Sequence, residues 1–374
     1  MPDRVLITGG AGFVGSHVAD ELLAAGYRVR VLDCLSAQVH GSGRGRPDYL
    51  SGDVEFIAGD VRDAAAVRRA LAGVDAVHHL AAAVGVGQSM YAIADYTSLN
   101  NLGTATLLEA VIDHRDQIKK LVVASSMSIY GEGLYRNAAG EVSDGLERTT
   151  EQLQAHDWDI RDASGDVLTP VPTPEAKPPC LASVYALSKY DQERLCLMVG
   201  RAYGIPTVAL RFFNIYGPRQ ALSNPYTGVL AIFASRLLNN RPPMIFEDGL
   251  QKRDFVSVYD VAAACLLATE VPEAAGQVFN IGSGQAYTVR EIAERMAVAV
   301  GKPFIEAEIT GKYRVGDIRH CFADISHARR VLGYEPRVSF EDGLAELAQW
   351  LDGQVAVDHV DSATAELSKR GLAI

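Results

Sequence analysis

Cysteine is scarce in this chain of 374 residues. The five present, Cys34, Cys180, Cys196, Cys265 and Cys321, are scattered, odd in number and never paired as Cys-x-x-Cys. That excludes a disulfide framework and predicts reduced, buried or half-buried thiols. The nine histidines show no His-Glu-x-x-His or comparable ligand spacing, so no structural or catalytic metal is expected. A basic surplus is also missing: 35 Lys and Arg against 46 Asp and Glu give a net charge of −11. Such a surface repels phosphate backbones, and no basic, aromatic-interleaved run offsets it, so nucleic acid is not the expected partner. No stretch of about 18 residues stays apolar and uncharged, which excludes a helical membrane span. Met1-Pro2-Asp3-Arg4 lacks the charged start and cleavage site of a secretory leader, and a cytoplasmic location is expected.

What is present is a globular composition, 48% hydrophobic and 22% charged. Short runs rich in Val, Ile and Leu at 4–8, 28–33, 54–58, 76–81 and 120–125 read as strands. Amphipathic stretches at 14–25, 64–72 and 101–114 separate them, and a further strand follows at 207–212. Strands apolar on both faces and alternating with helices predict a doubly wound parallel sheet covered on both sides. Residues 131–181 break the rhythm: they are polar, gather prolines from Pro170 to Pro179, and are too long for an ordinary connection. They read as either a functional lid or a partly disordered insertion. Beyond 217, helices at 229–239, 258–269, 289–300 and 340–351 among short strands predict a smaller mixed α/β lobe. The expected organisation is 1–216 for the nucleotide-binding part, 217–352 for the substrate lobe, with some interleaving, and 353–374 as a tail containing a helix at 361–370.

The first strand runs straight into Thr8-Gly9-Gly10-Ala11-Gly12-Phe13-Val14-Gly15 and then a helix. Glycines at 9, 12 and 15 let the backbone turn tightly and approach a pyrophosphate, which the unpaired N–H groups of the helix start would bind. Asp33 follows Gly15 by 18 residues at the end of the second strand. A carboxylate there accepts from ribose hydroxyls and repels a 2′-phosphate, favouring NAD over NADP. Asp60 and Val61 end the third strand, where Asp60 can accept from an adenine amino group.

Tyr185 and Lys189 form Tyr-x-x-x-Lys in an amphipathic stretch at 183–197, which puts both on one helical face. A tyrosine is a poor base at neutral pH, but a neighbouring ammonium and a cationic nicotinamide both favour its phenolate. Ser126, at the carboxyl end of a sheet strand, can hydrogen-bond the same substrate oxygen.

With the Leu80-Ala81-Ala82 turn, these residues resemble the extended short-chain dehydrogenase/reductase family, the nucleotide-sugar epimerases and dehydratases. Further motifs similar to that family are Asn100-x-x-Gly103-Thr104, 211–219 (Arg211 to Arg219, with Asn214), Arg253-Asp254-Phe255-Val256, Asn280-Ile281-Gly282 and Arg314-Val315-Gly316-Asp317. They cover residues 4–350. The resemblance implies a Rossmann fold, a tightly held and recycled NAD, a nucleoside-diphosphate sugar as substrate, and a homodimer built on the helices near 101–114 and 183–203. It implies cofactor contacts from Gly9, Gly12, Phe13, Val14, Gly15, Asp33, Asp60, Val61, Leu80, Ala81, Ala82, Asn100, Tyr185 and Lys189. Substrate contacts are implied for Val84, Ser126, Ser128, Asn214, Arg219, Arg253, Arg314, Asp317 and Cys321, the arginines offering planar forks to the diphosphate. A small cysteine at 321 would leave room around the sugar.

Members of this family begin by oxidising the sugar at C4, the tyrosine taking the hydroxyl proton while hydride moves to NAD. Dehydratases and decarboxylases then use acidic residues just after the catalytic serine or threonine. Here the string is Ser126-Met127-Ser128, and neither Met127 nor Ser128 can serve as acid or base. That leaves 4-epimerisation. The runs Ala83-Val84-Gly85-Val86-Gly87-Gln88-Ser89 and Asn224-Pro225-Tyr226-Thr227-Gly228 resemble the dTDP-L-rhamnose 4-epimerase-like members most; a UDP-hexose or UDP-uronate 4-epimerase, or a reductase of keto sugars exchanging NAD(P)H with solution, is the alternative. A non-catalytic, RNA-binding member is disfavoured by the intact Tyr185 and Lys189 and by the acidic chain.

Overall fold

Strands buried on both faces build the core. The computed structural model describes residues 3–41, 45–145, 147–226, 228–314 and 316–373. Thr227 and Val315, each within a motif quoted above, lie outside the described residues. Strands β1 (Arg4–Thr8), β2 (Arg28–Asp33), β3 (Glu55–Ala58), β4 (Ala76–His79) and β5 (Lys120–Ser126) are joined by Thr207–Phe212 and Val278–Ile281. The sheet order is Val278–Ile281, Thr207–Phe212, β5, β4, β1, β2, β3, and every pairing is parallel.

Val5, Ile7, Val31, Val122 and Leu210 face one side and pack with Val18 and Leu22 of the first helix (Phe13–Ala24) and Val261 and Ala268 of the helix Val258–Glu270. Their neighbours Leu6, Leu32, Val77, Leu121 and Ala209 face the other side, against Val67, Leu107, Val111 and Cys196. Opposite orientation of adjacent residues gives both faces an apolar cover, as a parallel sheet flanked by helices requires. The expected doubly wound α/β fold is therefore present. Two elements within 217–352, the helix Val258–Glu270 and the strand Val278–Ile281, serve this sheet. A separate apolar cluster, including Phe233, Leu237, Met296, Phe340 and Leu347, forms the core of the lobe.

Several boundaries differ from expectation. β4 stops at His79, and Leu80 to Ala82 are irregular. The helix expected at 101–114 begins earlier, at Ile93–Tyr96, and passes through a π-helical stretch, Thr97–Leu102, before Gly103–Asp113. Cys34, expected buried or half-buried, is exposed just past β2.

Residues 131–181 form a three-stranded antiparallel unit, Leu134–Arg136 between Val142–Asp144 and Thr169–Val171. Tyr135, Ile160 and Leu168 make its own small core. It docks on the lobe through the buried Glu132, whose carboxylate accepts from the backbone N–H of Arg319 (2.6 Å) and His320 (3.1 Å) and from the Tyr135 hydroxyl (2.7 Å). Arg148 adds an ion pair to Glu247 at 2.8 Å, both side chains buried. The chain ends in a helix, Val360–Lys369. No helix among the described residues is long and apolar enough to cross a membrane.

Candidate active site

The carboxyl ends of β1, β2, β4 and β5 meet where the strand order reverses, the place where open α/β sheets bind ligands. Gly9 stands there with φ of +71°, and a Cβ on it would lie 2.8 Å from the Cα of Ala81. Gly15 presses on the backbone of Gly9 and Gly10, which brings the first helix against β1. Gly12 caps that helix with no side-chain hydrogen bond, and a Cβ added to it would meet only the Gly9 carbonyl, at 3.4 Å. This bare helix start, open above Gly12, fits a pyrophosphate. The Phe13 ring packs edge-on to His17, while Val14 packs on the core, so these two residues offer the site their backbone.

Asp33 accepts from the N–H of Ala11 (3.0 Å) and Leu35 (2.9 Å), which holds its carboxylate beside the turn. Tyr49, which carries no motif signal, donates to the Ala11 carbonyl at 2.7 Å. Asp60 is gripped by Arg62, whose Nη2 lies 2.6 Å away; this hydrogen bond, against a smaller opposing effect of burial, holds the carboxyl below its ordinary range. Val61 is buried against Gly103.

Asn100 is bonded within the protein. Its side chain accepts from Ala83 N at 2.7 Å and donates to Ala83 O (3.1 Å) and Ser188 Oγ (2.9 Å). With its polar atoms engaged by protein, it fastens the segment after β4 to the helix that carries Tyr185 and Lys189, Val184–Tyr203. The π-helical stretch places it there, a local distortion common at functional sites.

This helix starts on Ser183, whose hydroxyl accepts from Ala186 N at 3.0 Å. Ser89, which sequence reasoning did not single out, accepts from Tyr185 N at 3.0 Å. Tyr185 packs edge-on against Tyr96, ring centroids 6.4 Å apart. Burial pushes its phenol above the ordinary value, opposed by a hydrogen bond to Ser126. Ser126 Oγ also accepts from Ser128 N (3.1 Å) and Ser128 Oγ (2.9 Å), and Met127 is buried in the core. The ammonium of Lys189 is directed at Gln192 Oε1, 2.5 Å away, and burial brings it down to about 8. Gln192 Nε2 in turn reaches Thr104 Oγ1 (2.8 Å) and His79 Nε2 (3.2 Å), while His79 Nδ1 meets Thr8 Oγ1 at 2.8 Å. The Lys189 ammonium is thus directed one turn farther along the helix, at Gln192.

Beneath the site, Arg211 and Glu193 form a buried ion pair at 2.7 Å, and Glu193 also accepts from Ser125 Oγ at 2.6 Å. This ties the end of β5 to the helix Val184–Tyr203.

A second group lies on the lobe. Arg314 forms an ion pair with Asp317 at 2.8 Å and stacks 4.9 Å from the Phe246 ring centroid. The guanidinium of Arg253 donates to the carbonyls of Lys252, Arg319 and Ile318 and sits 4.0 Å from Asp317. Burial opposes ionisation of Asp317, but Arg314, Arg253 and Arg148 outweigh it and hold the carboxyl below its usual range. Asn214 Nδ2 donates to Asp254 O at 2.8 Å. Val84 is exposed on the loop after β4.

Two further residues named in the sequence have protein partners of their own. Arg219 stands apart from this group: with φ of +68° it turns its guanidinium to Asp20 on the first helix, 2.7 Å away, and over Tyr49 at 5.6 Å. It therefore belongs to the neighbourhood of the glycine turn. Cys321 is 1% exposed, and its Sγ lies 3.9 Å from Thr173 Oγ1 of the inserted unit.

The family model for the NAD dependent epimerase/dehydratase family matches residues 5–152 and 164–282. The chain belongs to this family. It is 35% identical over 350 residues to the dTDP-L-rhamnose 4-epimerase of Burkholderia thailandensis, covering 93% of this chain and 94% of that protein. Among solved structures it is similar to UDP-glucose 4-epimerase of Thermotoga maritima with UDP-glucose, with a TM-score of 0.76, 32% identity and coverage of 94% and 99%. It is also similar to UDP-glucuronic acid 4-epimerase of Bacillus cereus in complex with UDP-glucuronic acid and NAD, with a TM-score of 0.75, 27% identity and the same coverage of 94% and 99%. As in its family, the cofactor is NAD, and the bare helix start with the Asp33 carboxylate beside it fits that group.

Proposed function

We propose that this protein is an NAD-dependent nucleotide-sugar 4-epimerase whose substrate is a dTDP-6-deoxyhexose of the dTDP-L-rhamnose type. The observation that carries the reaction is the grouping of Ser126, Tyr185 and Lys189 beside the glycine turn, with Met127 buried and Ser128 bonded back to Ser126. The likeness to the Burkholderia enzyme supports the sugar.

When bound, NAD supplies reversible oxidation at C4 of the sugar. Tyr185 is the group that takes the C4 hydroxyl proton and returns it, and Ser126 hydrogen-bonds the same oxygen. Lys189 keeps positive charge near the phenol, and its own ionisation at about 8 leaves it mostly an ammonium at neutral pH. Neither side chain after Ser126 can move a proton at C5 or C6, so the keto sugar is reduced again without loss of water or carbon dioxide. Arg253, Arg314 and Asp317 hold the nucleoside diphosphate.

The second reading, a UDP-hexose or UDP-uronate 4-epimerase, is supported by the likeness to those solved structures. Incubating the purified protein with dTDP-L-rhamnose, UDP-glucose, UDP-galactose and UDP-glucuronate, and scoring C4 by NMR, separates the two. C4 inversion of the dTDP sugar with no net redox change is the expected result. Release of water or carbon dioxide, or stoichiometric consumption of added NADH, overturns the epimerase reading.

The assembly we propose is a homodimer in the cytoplasm. Leu102, Leu187 and Met198 are exposed, and Ala94, Leu102, Ala105 and Leu195 line one apolar groove across the two long helices. Sedimentation at micromolar concentration should give twice the 40.2 kDa chain mass.

A further inference from the structure

We infer that the C-terminal segment, residues 353–373, is a strap that positions the substrate site by joining the 84–91 loop to the turn bearing Arg314. What it positions rests on the nucleotide-sugar reading above; where it lies rests on its own contacts.

The segment is anchored first on the lobe. Asn239 Nδ2 donates to Ala356 O at 2.9 Å, and Val357 N donates to Ser223 Oγ at 3.0 Å. The buried carboxylate of Asp358 lies 3.5 Å from the buried guanidinium of Arg236 and 3.2 Å from Arg241. Asp361 meets the same two arginines at 2.7 and 2.8 Å. Removing one partner would strand a buried charge, so this anchor is firm.

The helix Val360–Lys369 then crosses to the sheet domain. Its buried Leu367 occupies the space beside Gly87, where an added Cβ would lie 3.3 Å from the leucine. Arg370 places its guanidinium 4.3 Å from the ring centroid of Tyr91, a cation–π contact. Finally the buried Ala373 pairs as an antiparallel bridge with Arg314.

Both places it touches lead to the site. Within the 84–91 loop, Ser89 accepts from the backbone N–H of Tyr185, and Tyr91 bonds Tyr226 of the lobe at 2.6 Å between hydroxyls. Arg314 is paired with Asp317 in the group that faces the diphosphate. One segment thus sets the separation between the sugar end and the nucleotide end of the cleft. The groups doing the chemistry are also held from below by the core and by Glu193, so the strap's larger effect is on substrate binding.

The test removes residues 370–374 from the full chain, with Arg370→Ala as a full-length second variant. The expected result is a rise of about tenfold in KM for the nucleotide sugar and in Kd for dTDP, with kcat within about threefold of the parent, the pattern of lost binding with chemistry intact. NAD content should be unchanged, and amides at 84–91 and 316–318 should exchange hydrogen faster. An unchanged KM, Kd and exchange pattern overturns the strap, as does a joint fall in kcat, NAD content and melting temperature in the full-length variant. If the parent protein inverts no nucleotide sugar, the functional reading fails; dTDP affinity and hydrogen exchange then still decide whether the strap exists.

Discussion

Lys189 and Gln192 form a buried pair, ammonium to amide oxygen, at 2.5 Å. They sit three residues apart on one helical face, and Gln192 is fixed from behind by Thr104 and His79. The arrangement makes Gln192 a positioning residue for the buried ammonium.

Replacing Gln192 with Leu removes the acceptor and keeps the burial. A hydrogen bond to a charged group contributes about 1.5–3 kcal/mol, equivalent to about one to two pKa units. Lys189 would then lose its proton at lower pH than its present value of about 8. Because the ammonium is the active form, the alkaline limb of kcat/KM should move to lower pH by about that amount, while Gln192→Glu moves it up. A profile identical in all three proteins would show that the amide does not set this charge.

Tyr185→Phe keeps the ring packed on Tyr96 and deletes the hydroxyl. The variant should therefore fold and retain NAD. Loss of the proton acceptor should lower kcat by roughly 10²- to 10⁴-fold. Turnover close to the parent rate would remove Tyr185 from the mechanism.

How far the sequence could be read follows from where each signal lies. β1 and β5 are legible because their residues are largely apolar toward both faces, and the glycine turn because it stands between strand and helix. Asn100 is legible as a motif residue, but its role is not, since that depends on a π-helical stretch that no periodicity announces. The inserted unit has weak patterning because its order comes from distant partners: Glu132 with the backbone at 319–320, and Arg148 with Glu247. Arg219 misleads for a related reason. It closes a run that includes Asn214, yet its left-handed backbone sends the side chain to Asp20. Gln192 had a usable signal, a polar side chain one turn beyond Lys189 on a face that is otherwise buried.

Asp33→Ala should weaken retention of NAD and relax discrimination against NADP. The carboxylate stands beside Ala11 and Leu35 through their N–H groups, at the end of β2. Losing charge-assisted hydrogen bonds of about 1.5–3 kcal/mol corresponds to roughly 10- to 100-fold in cofactor affinity. Calorimetry on stripped protein with NAD and NADP measures both effects, and an unchanged preference would place the ribose elsewhere.

Acid should destabilise the fold through histidines buried as neutral rings. Burial brings His78 and His79 down to about 3 and, with smaller contributions, His17 to about 4, from an ordinary value of 6.5. Well above pH 6.5 neither folded nor unfolded chain protonates them, and this contribution to stability is complete. Below pH 6.5 the unfolded chain takes up protons that the folded one refuses, so stability is lost as pH falls toward 3, by as much as ~1.4 kcal/mol per pH unit for each ring. Buried carboxyls work the other way: burial raises Asp254 to about 6 and also raises Asp260 and Glu247, so part of the slope is offset. A single-site comparison isolates the effect. His78 bonds Thr269 Oγ1 at 2.7 Å, and His78→Gln keeps a side chain able to make that contact without titrating. Urea unfolding at pH 7.5, 6.5, 5.5 and 4.5 should show the parent losing stability faster than the variant below pH 6.5, the difference growing by up to ~1.4 kcal/mol per unit. Parallel curves would mean that His78 is protonated in the folded protein or is solvated enough to titrate freely.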